Sequence, residues 1–369
     1  MKFDLNTVKI EKANIRTGQS SFKVTGDLNG IKGALSRGSR LRANMNIDAD
    51  TLNFNELTRA LSAGEEFMAK GKGYKDSLMT AENEDSLEKA IALEGVDTLS
   101  KMSLIIIPRN IEATLNMNVK YGIYSSIVLQ KANGTVTSKN RCLQIMDFNA
   151  TTSAGAMDLN AFYKTLAKDN LSAGFDLEFK DMHVEEFIRL YPGMDTLLPM
   201  LKSFEGIINC QMAATTQIDT NMNVILPSIE GVARIKGDSL VLLDGETFAE
   251  IAKMLKFKNR ERNLVDNIAV EVAIKDNQLE VFPFIMKMDR YTAAISGKQD
   301  LEMNFDYHIS VLKSPIPMKM GININGNMDD FKFRIGKAQY KDTNLPVYSK
   351  MIDSTRVNLL EQIKNIYKE

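Results

Sequence analysis

Apolar and polar residues alternate with a period of two along most of this chain. The segments SFKVTGDL, LRANMNIDA, IEATLNMNVKY, AMDLNAFYKT, FDLEF, IAVEVAIKDNQLEV, LEMNFDYHISVL and MGININGNMDDFKFRI all carry the pattern. Successive side chains of a strand point to opposite faces, so this period predicts strands with one apolar and one polar side. Sheet covered on one side only is characteristically antiparallel. Turn signals at Asn133-Gly134, Lys236-Gly237-Asp238, Asp244-Gly245 and Asn325-Gly326 predict meander connections with few helical crossovers.

The chain also repeats itself. Leu41 to Leu61 (LRANMNIDADTLNFNELTRAL) and Leu171 to Leu190 (LSAGFDLEFKDMHVEEFIRL) both read as a strand running straight into a short helix. Leu52 matches Met182, Phe54 matches Val184, Glu56 matches Glu186, Leu57 matches Phe187 and Arg59 matches Arg189. A weaker match lays Asn133 to Ile145 on Glu230 to Leu242, with Gly134 on Gly231 and Leu143 on Leu240. Repeated strands build an extended sheet with one long apolar face.

Short helices punctuate the strands. GETFAEIAKMLKF sets Phe248, Ile251, Ala252 and Leu255 on one face, and VEEFIRLYPGMDTLLPMLKSF reads as two helices broken at Pro192-Gly193; both are expected to act as lids or end-plugs. The C-terminal stretch, residues 345–369, predicts a helix with Met351, Val357, Leu360, Ile363 and Ile366 on its packing side. Residues 62–101 are rich in charge and small residues and lack alternation, and are expected to form a mobile inserted loop. The expected architecture is mainly β: an extended, curved, largely antiparallel, groove-like sheet over residues 1–340, divisible near residue 200 into 1–200 and 201–340, with short peripheral helices and a C-terminal helix.

Composition narrows the function classes. The 46 basic and 47 acidic residues give a net charge of -1, so no basic field draws the chain to nucleic acid. The longest apolar run, near Met102 to Pro108, is far short of the ~20 residues that span a bilayer. Strand-like alternation begins at Met1, as expected of a fragment whose targeting segment lies upstream, the other reading being a natural cytoplasmic start. Cys142 and Cys210 lie 68 positions apart in strand-like settings and read as small apolar residues.

Little in the sequence points to catalysis. His183 and His308 both fall on polar-face positions with no second metal ligand near in sequence, and are expected to face solvent. There is no GxSxG, P-loop or HExxH motif, and AKGKGYK follows no strand. The acidic neighbours Glu65-Glu66, Glu185-Glu186 and Asp329-Asp330 cannot share a face within a strand. The chain reads as a non-enzyme with no cofactor.

The apolar rows carry the remaining signal. Leu41, Ala43, Met45 and Ile47 form one, and Ile111, Ala113, Leu115, Met117 and Val119 form another. With 21 methionines and no tryptophan, the chain is rich in flexible thioethers that suit varied apolar partners, although core filling uses them equally well. These nine residues are the candidate groove-lining positions for an apolar partner.

The C-terminal block resembles a known family. SIEGVARIKGDSLVLLDGETFAEIAKMLKF, then DNIAVEVAIKDNQLEVFPFIMKMDRYTAAISGKQDLEMNFDYHISVL, then PMKMGININGNMDDFKFRIG is similar to the C-terminal region of AsmA-type proteins of Gram-negative bacteria. SAGAMDLNAFYKT, in the first half, is similar to the same group in Bacteroidetes-like sequences. The resemblance covers about four fifths of the chain and rests on strand and turn patterns. It implies a periplasmic protein anchored in the inner membrane by an N-terminal helix absent from this chain. It further implies kinship with the bridge-like lipid-transfer proteins TamB and YhdP, whose apolar β-groove is linked to phospholipid supply and outer-membrane assembly. The expected partners are a phospholipid or other acyl lipid and envelope proteins. Two other readings stay open: a closed β structural or interaction module of the envelope, and a hydrolase of envelope polymers.

Overall fold

The computed structural model describes residues 2–4, 6–32, 40–56, 106–124, 127–167, 170–190, 204–237, 240–243, 262–288, 290–302, 304–315, 319–327 and 330–367. The first strands are β1 (Lys2–Phe3), β2 (Thr7–Thr17), β3 (Ser20–Asn29), β4 (Leu41–Asn53) and β5 (Ile111–Tyr124). They are followed by β6 (Ile127–Lys139), β7 (Cys142–Thr152), β8 (Gly155–Ala167), β9 (Asn170–His183) and helix α1 (Val184–Leu190). Next come β10 (Phe204–Glu205), β11 (Ile207–Ile218), β12 (Glu230–Gly237), β13 (Leu240–Leu243), β14 (Arg262–Asp266) and β15 (Ile268–Lys275). The chain closes with β16 (Gln278–Met288), β17 (Tyr291–Asp300), β18 (Phe305–Lys313), β19 (Met320–Gly326), β20 (Phe331–Gly336) and helix α2 (Ser349–Asn365). The inserted loop expected at residues 62–101, and the helices expected at residues 245–257 and after Pro192, lie outside the described residues.

Seventeen strands form one open, curved ribbon in the order β1 to β9, β11, β12 and β15 to β20. Among the described residues, neighbours are antiparallel except β4 and β5, which run parallel and in register from Leu41 opposite Ile111 to Asn53 opposite Ile123. Strands β10, β13 and β14 prolong β11, β12 and β15 beyond a line marked by positive φ at Gly206 (+136°) and Asn267 (+45°). The ladder between β9 and β11 pairs Leu171 through His183 with Ile218 through Ile207 and so crosses residue 200 in sequence without a break in the sheet.

Curvature comes from bulges. Register shifts interrupt the pairings of β2 with β3, β6 with β7, β7 with β8, β9 with β11, and β16 with β17. Lys131, Asp147 and Asp181 sit at three of these with φ near +50°. An extra residue on one strand bends it and sharpens its twist, so a succession of bulges rolls a long ribbon into a trough.

The strand-into-helix unit recurs in the structure with its own latch. β4 runs into a helical turn at Phe54, Asn55 and Glu56, and β9 runs into α1. Glu56 accepts hydrogen bonds from the Gln19 N–H at 2.9 Å and the Ser20 hydroxyl at 2.7 Å, closing the turn between β2 and β3. At the matched position Glu186 accepts a longer bond, 3.4 Å, from Ser153 in the turn between β7 and β8. The weaker internal match has no structural counterpart: Lys139 and Cys142 close a hairpin, whereas β13 continues past β12 and pairs with β10 and β14.

Three expectations need correction. Asn133-Gly134 is not a turn but lies inside β6, beside the bulge at Lys131; a Cβ on Gly134 would stand 2.9 Å from the Phe148 Cα, so the glycine serves a close approach. The packing side of α2 is Ile352, Leu359, Ile363 and the following Ile366, while Met351 and Val357 are 42% and 52% exposed. The inward stripe includes Arg356, whose guanidinium bonds Asp176 at 2.7 Å and Glu178 at 3.4 Å. Finally, His308 is only 5% exposed, because the chain around Gln339 and Tyr340 folds over it.

Candidate functional site

Register pairing assigns every strand residue to one of two faces. One row of facing partners runs Ile10, Gly26, Met45, Leu115, Val136, Ile145, Ala161, Phe175, Ala214, Gly231, Ile274, Leu279, Gln299, Phe305, Gly326, Phe331. It crosses sixteen strands, and Gln299 is its one polar member. At ~4.8 Å between strands the row extends roughly 70 Å. None of the sixteen is exposed and only Gly231 is buried; the rest are half-buried. Residues of a sealed core would be fully covered by a second layer, so this row is the floor of an open surface.

The nine candidate residues lie on this face. Leu41 faces Ile111, Ala43 faces Ala113, Met45 faces Leu115 and Ile47 faces Met117. Val119, opposite Ala49, is 0% exposed and belongs to a buried cluster with Leu52, Ile127, Leu129 and Ala132 against which Ile47 and Met117 pack. The other six belong to no buried cluster among the described residues and are half-buried. One border of the face is therefore closed and the other open.

Beyond the nine residues of β4 and β5, the same face continues across β6 to β9, β11, β12 and β15 to β20. The signal was present in each alternating segment, yet only pairing in space shows that the alternations are in phase. Farther along, Phe179, Met182, Ile208, Cys210, Leu240, Val265 and Met288 form a second buried cluster, plugged by Val184 and Phe187 of α1. The rings of Phe179 and Phe187 meet edge to face at 5.2 Å. Met157 packs against both clusters and joins them. Burial lifts the Cys210 thiol to about 12 and that of Cys142, on the opposite face under α2, to about 11, so both are inert thiols.

The opposite face is polar and laced across the strands. Asn116 donates to Asn46 at 2.9 Å, Lys120 meets Asp50 at 2.5 Å, Lys180 meets Asp158 at 2.8 Å and Gln211 donates to Glu178 at 3.1 Å. Lys120 holds the Asp50 carboxyl below its ordinary range by direct hydrogen bonding, and Arg40 does the same to Glu112. A depression of about 380 Å³ lies here, lined by Arg42, Glu112, Thr137, Lys139 and Tyr367. The polar side keeps the ribbon hydrated while α2 crosses it on Ile352, Leu359 and Ile363.

His183 is exposed on β9, roughly 29 Å from β18 at six strand spacings. His308 Nδ1 lies 2.7 Å from Asn323 Oδ1, and its Nε2 lies 3.0 Å from Ser310 Oγ. The Gln339 N–H reaches that Nε2 at 3.2 Å. Ser310 is 0% exposed and its oxygen accepts from the Gln339 and Tyr340 N–H groups. The order of atoms is that of a hydrolytic triad, but the hydroxyl is sealed and engaged by backbone donors. It fastens the segment leading to α2.

Among the described residues no cluster of His, Cys, Asp or Glu could hold a metal ion, and no helix is long and apolar enough to cross a membrane. No protein-family model, curated protein or solved structure matches the chain.

Proposed function

We propose that the apolar face is a path for acyl lipid, and that the protein works as a conduit or scaffold without covalent chemistry. The observation that carries this reading is the half-buried row from Ile10 to Phe331, which crosses sixteen strands with one polar side chain. A hydrocarbon chain in water costs about 0.8 kcal/mol for each exposed methylene. A trough of leucine, isoleucine, valine, methionine and phenylalanine removes that cost along its whole length. A length of roughly 70 Å exceeds the ~30 Å hydrocarbon thickness of a bilayer, as suits movement between membranes better than storage of one molecule.

The resemblance to AsmA-type proteins extends the reading to the periplasm of a Gram-negative cell, with attachment to the inner membrane and a role in phospholipid supply to the outer membrane. The sealed clusters around Val119 and Phe187 favour a second reading in their own neighbourhood, that of a purely structural envelope module. Lipid extraction and mass spectrometry on purified protein, with titration of a fluorescent fatty acid, separate the two. Copurified phospholipid and saturable binding are expected; lipid-free protein that takes up no probe would end the conduit reading.

A further inference from the structure

Strand β20 is an edge, paired with β19 on one side only among the described residues. The apolar face reaches that edge through Phe331 and Phe333, half-buried against the buried Ile309, Val311, Ile322 and Ile324, and through Ile335, which is 64% exposed. Phe331 and Phe333 meet edge to face at 5.4 Å, and Phe331 lies 6.4 Å from Phe305. Lys332 and Arg334 alternate with these residues on the polar side, both exposed. Between residues 313 and 341 the sequence carries six cations, Lys313, Lys319, Lys332, Arg334, Lys337 and Lys341, against Asp329 and Asp330. All six are exposed. A chain of net charge -1 thus gathers positive charge at one end of its apolar face.

We propose that the β19–β20 edge docks on an anionic phospholipid surface, with Ile335 and the phenylalanines entering the interface and the cations meeting lipid phosphates. Aromatic and aliphatic side chains beside lysine and arginine are the combination that partitions to such a surface. The inference rests on reading the apolar face as a lipid path, to which the edge would be a mouth. Exposed charge on an edge strand also serves to block pairing with other strands; that role alone predicts no affinity for vesicles.

The test is sedimentation of the full chain with vesicles of phosphatidylcholine alone and with about one third phosphatidylglycerol. Binding to the anionic vesicles that weakens with salt is expected, with a loss of about tenfold in the double variant Lys332→Glu, Arg334→Glu and a similar loss in Ile335→Asp. Leu115→Asp, far from the edge, should dock normally while losing bound lipid, so failure of the path and failure of the docking are distinguishable. No binding, equal binding to both vesicles, or charge-reversed protein that binds as well as wild type would overturn the proposal. Lipid-free dimerisation abolished by Ile335→Asp, without vesicle binding, would assign the edge to a protein strand instead. Circular dichroism of each variant guards against misfolding.

Discussion

Leu115→Asp and Val119→Asp place the same carboxylate on the same strand face, four residues apart, and should fail in different ways. Val119 is 0% exposed among Leu52, Leu129 and Ala132. An unpaired charge there has no hydrogen-bond partner and no water, and should cost about 3–5 kcal/mol of stability. Leu115 is half-buried on the open part of the row, where the carboxylate keeps its hydration. The loss is then about half of what full burial of a leucine contributes, roughly 1 kcal/mol. The effect on lipid is the reverse. A hydrated carboxylate in the floor should hold about two methylenes of a guest chain away from the surface, some 1.6 kcal/mol, or about fifteenfold in affinity. A melting curve beside a fluorescent fatty-acid titration reads both quantities. The reasoning is refuted if Leu115→Asp melts near wild type and binds the probe undiminished, or if Leu115→Asp unfolds the protein as Val119→Asp does.

Other consequences follow from the latches and buried groups. Asp176→Ala leaves the Arg356 guanidinium with only the 3.4 Å contact to Glu178; it should destabilise by about 2–4 kcal/mol in chemical denaturation, and Arg356→Leu combined with it should restore part of the loss. Glu56→Ala strips two bonds from the turn between β2 and β3 and should cost about 1–2 kcal/mol, while Glu186→Ala, which loses the 3.4 Å bond from Ser153 and a solvent-screened ion pair with Arg189, should cost less. Cys142 and Cys210 keep their protons in the fold up to about 11 and about 12, against an ordinary value of 9.0. The unfolded chain therefore holds fewer protons than the folded one between pH 9 and 12, and these thiols make stability fall as pH rises through that window. Denaturation of Cys142→Ala, Cys210→Ala against wild type at pH 8 and 10.5 should show a smaller alkaline loss in the variant, and a thiol reagent should label wild type at neutral pH only on unfolding.

The alternation of apolar and polar residues was enough to predict a mainly β, largely antiparallel sheet with a C-terminal helix, because a strand's two faces are written into its own sequence at period two. The recurrence of a strand running into a helix at Leu41 and Leu171 was equally plain, since each unit is local. What depended on partners distant in sequence was not. Asn133-Gly134 reads as a hairpin turn, yet Phe148 needs a residue without a Cβ opposite it inside β6. The buried stripe of α2 passes over Arg356, which hydropathy turns outward and Asp176, on β9, turns inward. His308 reads as a surface residue until Gln339 and Tyr340 close over Ser310 beside it. Above all, the sequence sets which side of each strand is greasy, but the registers and bulges between strands bring sixteen such sides into one row. That phase relation is fixed only when backbone hydrogen bonds join neighbours, because a slip of one residue in any pairing would send the next strand's apolar side to the opposite face.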